Sequence, residues 1–110
     1  MNSLNSTLIE GELDTEPISS ISPKGTSISL FSLCSTRYYK ENDETLKEFS
    51  YFKIEAWGKL AEICNELPKT HKIRVVGRLK QDRWNDQKGN PHSEVKVVAE
   101  HVEIMPLRKP

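Results

Sequence analysis

Residues 49–68 read Phe49-Ser50-Tyr51-Phe52-Lys53-Ile54-Glu55-Ala56-Trp57-Gly58-Lys59-Leu60-Ala61-Glu62-Ile63-Cys64-Asn65-Glu66-Leu67-Pro68, and the hydrophobic period changes in their middle. Over 49–57 successive side chains point to opposite faces of a strand, with Phe52, Ile54 and Ala56 on one of them. Beyond Gly58, the residues Leu60, Ile63, Cys64 and Leu67 fall at i, i+3, i+4 and i+7, the stripe of an amphipathic helix, which Pro68 stops.

Outward from this junction the chain is punctuated as β. Residues 4–13 alternate, with Ile9, Gly11 and Leu13 opposed to Leu8, Glu10 and Glu12, and residues 26–36 repeat the habit. The charged interval 40–48 reads as a long, exposed and mobile hairpin connection. Strands over 71–84 and 92–105 follow, joined by a hairpin whose Lys88-Gly89-Asn90 tip supplies positive-φ positions. Five strands with one short helix between the third and fourth predict an all-β chain, a five-stranded OB-fold Greek-key barrel occupying 1–110 as a single domain.

Composition bounds the function. The chain has 110 residues, with sixteen Lys+Arg against sixteen Asp+Glu, so a nucleic-acid argument from overall basicity fails and only the placement of charge can carry one. Cys34 and Cys64 lie far apart without a CxxC or a His pair, which predicts reduced thiols and neither a disulfide nor a metal site. The polar, acidic N-terminus is unlike a signal peptide, and no stretch approaches the ~18 apolar residues of a membrane span. A soluble, cytoplasmic protein is expected, with no membrane partner. His71, His92 and His101 have no nucleophile at a recognisable spacing, and Glu10, Glu12, Asp14 and Glu16 alternate as on a solvated face. No enzyme activity and no cofactor are expected.

Strand parity points elsewhere. Tyr51, Lys53, Glu55 and Trp57 share the outward face of the third strand, and Lys72, Arg74, Val76, Arg78, Lys80, Asp82 and Trp84 share that of the fourth. Positive charge is therefore expected on the faces that expose the aromatics. Cations interleaved with flat rings suit single-stranded nucleic acid, since bases stack whatever their identity and Lys or Arg tracks the phosphates. Parity alone equally allows the tryptophans to be core or subunit-contact residues and the cations to be solubilising.

The chain resembles the bacterial single-stranded DNA-binding protein family. Matching phrases run through nearly the whole chain: Leu4 to Gly11, Pro23-Lys24-Gly25-Thr26, Phe31-Ser32-Leu33, Ala56 to Glu62, Val76-Gly77-Arg78-Leu79, Arg83-Trp84 and Gly89-Asn90. The resemblance implies a homo-oligomer, a tetramer with a dimer as the alternative. It also implies coating of single-stranded DNA in replication, recombination and repair, in the cytoplasm at the nucleoid. It places the stacking aromatics on Tyr39, Tyr51, Trp57 and Trp84, with Tyr38 as the alternative to Tyr39 in a one-residue shift, and phosphate contacts on Lys53, Lys59, Lys80 and Arg83. Arg74 and Arg78 join this set from parity alone.

The sequence departs from the family pattern in three ways. Glu10 and Glu12 put acids on a strand that commonly meets a second subunit, which predicts a weakened or reshaped contact. Glu16-Pro17-Ile18-Ser19-Ser20 lacks the arginine of an Asp-Pro-x-x-Arg phrase, and with Asp82 this predicts weaker phosphate contact. The sequence stops at Pro110, so recruitment of replication and repair proteins through an acidic C-terminal tip is expected to be absent. An alternative reading follows, a tail-less adaptor resembling primosomal replication protein N that binds replication proteins and holds single-stranded DNA weakly. An RNA-binding OB protein of the cold-shock type is a third.

Overall fold

Strand β1 (Thr7–Leu13) pairs antiparallel with β5 (Lys72–Asn85) from Thr7↔Gly77 to Glu12↔Lys72, and at Glu12 and Leu13 it also pairs with β3 (Ser27–Glu41). This double pairing closes a ring in the order β1, β5, β6 (Pro91–Ile104), β4 (Glu44–Trp57), β3. Closure demands close approach of backbones, and a Cβ on Gly11 would fall on the carbonyl oxygen of Cys34. The computed structural model describes residues 1–69 and 71–106.

The predicted five-stranded barrel is therefore the observed one, with a sixth strand, β2 (Ile18–Ile21), added at the edge of β3. Its four residues are exposed, which leaves no buried face to give an alternation in the sequence. Inside the barrel lie Leu33, Ile54, Ile73, Val75 and Val97, all but sealed from solvent. Helix α1 (Lys59–Cys64) leaves β4 through Gly58, whose φ of 66° suits a residue without a side chain. It buries Ala61 and Cys64 in the same core, with Leu67 beyond its end and Leu60 packed against it, while Ile63 of the stripe read from the sequence is 51% exposed, so the helix stops the barrel through a face that includes Ala61 in place of Ile63. Burial pushes the Cys64 thiol up to about 11, and both cysteines are free.

One expectation is overturned. Residues 40–48 form no long connection: the β3–β4 ladder continues from Ile28↔Trp57 out to Glu41↔Glu44 and turns on Asn42 and Asp43, both at positive φ. Asn and Asp tolerate the left-handed conformation that a two-residue hairpin turn requires. The arm reaches beyond the barrel, so neither face needs to be apolar and the pattern in the sequence looks like a loop. At the other hairpin only Gly89 of the predicted tip has a positive φ; the loop is held instead by Asp86, whose carboxylate accepts the N–H groups of Lys88 and Asn90. A bulge shifts the β5–β6 register between Val76↔His101 and Gly77↔Ala99 and leaves Glu100 unpaired.

Candidate nucleic-acid interface

Residues opposite one another across a ladder share a face, so the registers define the outer surface. Leu30, Ser32 and Cys34 oppose Glu55, Lys53 and Tyr51; Glu55 is level with Val98 on the parallel neighbour β6. Val98, Lys96, Glu94 and His92 in turn oppose Arg78, Lys80, Asp82 and Trp84. Tyr51, Trp57 and Trp84 stand on this one surface, 59%, 43% and 47% exposed. The alternative of core aromatics is thereby excluded. Cys34 across the ladder, with some burial, pushes the Tyr51 phenol above its ordinary value, so it stays a neutral ring.

The charge on this surface differs from the expectation. Lys53 pairs with Glu94 at 2.7 Å, and Lys80 lies 3.8 Å from Asp82. Lys96, largely buried, bridges Glu55 at 2.7 Å and Asp82 at 2.6 Å. The expected concentration of positive charge is thus cancelled locally by acids of the same face. Burial pushes the Glu55 carboxyl up, but hydrogen bonds from Lys96 and Trp57 and the charges of Lys96 and Lys80 outweigh it and leave it below its ordinary value. The Asp82 carboxyl is also lowered, first by its hydrogen bond from Lys96.

Other candidates are redistributed. Arg74 gives its guanidinium to Glu10 at 2.8 Å across the β1–β5 ladder, with Lys72 3.8 Å from the same carboxylate. It is engaged with the first strand and lies on the far side of the bulge from Arg78. Arg83 opposes Ser93 and bonds Gln81, so it projects from the ladder face opposite Trp84. Tyr39 opposes Leu46 and lies under the Arg37 guanidinium at 5.0 Å, on the face of the arm away from Tyr51. Tyr38, opposite Lys47, is the tyrosine that continues the Tyr51 face, because one residue of register exchanges the faces. Lys59 and Arg78 are exposed and, among the described residues, make no ion pair.

Three features escaped the sequence reading. A cleft of about 400 Å³ lies between β2 and the sheet, with Ile18 and Leu30 on its apolar side and Glu55, Asp82, Glu94 and Lys96 on the other. The indole N–H of Trp57 donates to Glu55 at 2.9 Å, which spends the ring's only donor and leaves its faces for contact. His92 stacks on Trp84, with ring centroids 5.7 Å apart. Parity of the last strand, carried across the hairpin, places Lys96 and His92 on the aromatic face.

Comparison with known proteins gives the family and the fold. A model described as the single-strand binding protein family matches residues 4–105. A single-stranded DNA-binding protein of Aquifex aeolicus is 35% identical over 93% of this chain and 70% of its own length. Single-stranded DNA-binding protein 2 of Chlorobaculum tepidum is 30% identical over 99% of this chain and 76% of its own. A deletion mutant of the Thermus aquaticus single-stranded DNA binding protein superposes with a TM-score of 0.82 at 27% identity; this chain covers 52% of it. The Plasmodium falciparum protein in complex with single-stranded DNA shares the fold, with a TM-score of 0.84 at 18% identity over 96% of this chain and 98% of that one. The chain belongs to the single-strand binding protein family.

Proposed function

We infer that the protein binds and coats single-stranded DNA without reading its sequence, in replication, recombination and repair. The observation that carries this is the placement of three half-exposed rings, Tyr51, Trp57 and Trp84, on one outer face of the barrel. Each ring offers a surface on which any base stacks, at ~1–3 kcal/mol. Lys59 and Arg78 supply phosphate contacts directly; Lys53 and Lys80 do so by exchanging a carboxylate for a phosphate. Tyr38 extends the platform along the arm, and a contact at Tyr39 or Arg83 requires the strand to pass to the other face of its hairpin.

Assembly as a homo-oligomer, tetrameric in our reading, belongs to the same proposal. Leu8 on β1 is exposed, and the acid beside it, Glu10, is paired within the chain with Arg74 and Lys72, which supports this reading, whereas Glu12 has no ion pair among the described residues. A cytoplasmic setting, where unpaired DNA is exposed, fits this role. Competition of a single-stranded oligonucleotide against a duplex of the same sequence tests the function. Strong preference for the unpaired strand, similar across base compositions, is expected; equal binding to duplex would overturn it.

A further inference from the structure

We propose that His92 is a DNA-contacting residue that extends the Trp84 stacking platform and adds a cation to it when protonated. This rests on the reading of Trp84 as a stacking residue. His92 and Trp84 are direct partners across the β5–β6 ladder, and their rings are nearly parallel, 17° apart with centroids at 5.7 Å. The imidazole is offset-stacked against the indole, and Trp84 is still 47% exposed, so a base stacking on the open ring surface completes a histidine–tryptophan–base platform.

The remainder of the geometry sets the protonation chemistry. Nε2 of His92 lies 2.9 Å from Oδ2 of Asp86, whose other oxygen is fixed by the turn N–H groups of Lys88 and Asn90. An ionised carboxylate only accepts, so it assigns the neutral ring a proton on Nε2 and leaves Nδ1 as the atom that gains one. The bond from His92, followed by those from the turn, holds the Asp86 carboxyl below its ordinary range, so it stays an ionised acceptor. Among the described residues Nδ1 has no hydrogen-bond partner, so on protonation it becomes a donor available to a phosphate oxygen.

The other charged groups near the ring do not replace this one. Arg83 lines the same groove from β5, on the opposite ladder face. Asp82 and Glu94, next along the aromatic face, are held by Lys96 and Lys53. An imidazole is the side chain whose charge ordinarily changes between pH 5 and 8, and an imidazolium on an indole gains a cation–π attraction. Binding of a polyanion favours the charged ring; by linkage, lowering the pH tightens binding.

The test is the affinity for oligothymidine from pH 8 to pH 6 at constant ionic strength, in the full chain. One linked proton raises the affinity as the pH falls, by at most about tenfold per pH unit. His92→Phe, which keeps a stacking ring but cannot titrate, and His92→Gln should both flatten the profile, while His101→Gln keeps the wild-type slope. A flat wild-type profile, or an undiminished slope in His92→Phe, would overturn the inference. Trp84→Ala separates the two claims. If it binds as tightly as wild type, the stacking reading of this hairpin fails; if it binds weakly while His92→Phe keeps the slope, only the His92 inference fails.

Discussion

Trp57 donates its indole N–H to Oε2 of Glu55 at 2.9 Å, while Oε1 of the same carboxylate holds the Lys96 ammonium at 2.7 Å. A residue on the outward face of β4 is thereby buried, with its charge used to fix an aromatic ring. Glu55→Ala takes away the acceptor of the indole N–H and leaves the largely buried Lys96 with Asp82 as its one remaining carboxylate. A loss of about 1–3 kcal/mol in folding stability is expected from urea denaturation, as for a buried hydrogen-bond partner removed on one side. Wild-type stability in the variant would show that the network carries no weight.

The same network sets the pH dependence of folding. The Glu55 and Asp82 carboxyls lie below their ordinary values of 4.5 and 3.8 in the folded chain. A depressed carboxyl contributes stability that is full above its unfolded pKa and is lost as the pH falls through the folded one. Thermal or urea unfolding should therefore change little between pH 7 and pH 5 on their account and weaken below about pH 4.5. Glu55→Gln should reduce the acid-dependent part of that loss.

Salt dependence reports how many cations are available to phosphate. Lys53, Lys80 and Lys96 already neutralise carboxylates, so their exchange onto DNA releases little counterion. With Lys59 and Arg78 as the unpaired contacts, log K against log salt should have a slope of about −1.4, at about −0.7 per phosphate. Glu94→Gln frees Lys53 and should tighten low-salt binding and steepen the slope by about 0.7. Weaker binding in that variant would contradict the pairing argument.

The arm offers a comparison of neighbours. Tyr38 shares the Tyr51 face and Tyr39 does not. Tyr38→Ala should cost on the order of 1–3 kcal/mol of binding to single-stranded DNA, and Tyr39→Ala less. The reverse order would mean that the strand crosses to the other face of the arm.

The barrel was legible because its strands have one buried face. Ile54 and Ala56 point into the core, and α1 buries Ala61 and Cys64 before the chain turns at Pro68. Where a strand leaves the barrel that signal is lost: residues 40–48 look like a loop because both faces of the arm meet solvent, and β2 is exposed throughout. Parity within single strands put Tyr51 and Trp57 on one face of the third strand and Trp84 on one face of the fourth, and their exposure in the barrel shows those faces to be outer ones. The neutralising acids could not, since Lys53–Glu94 and Lys96–Glu55 join strands whose pairing is a property of the closed barrel. Tyr38 and Tyr39 differ by one residue of register, and the unbroken β3–β4 ladder out to the Asn42-Asp43 turn assigns them their faces.

Tryptophan fluorescence during titration with a long polythymidine measures the central contact itself, because Trp57 and Trp84 are the two tryptophans of the chain and both stand on the aromatic face. Saturable quenching is predicted, reduced in Trp57→Ala and in Trp84→Ala, with each substitution weakening binding by about 1–3 kcal/mol. Tight binding that leaves the emission of both tryptophans unchanged would contradict it.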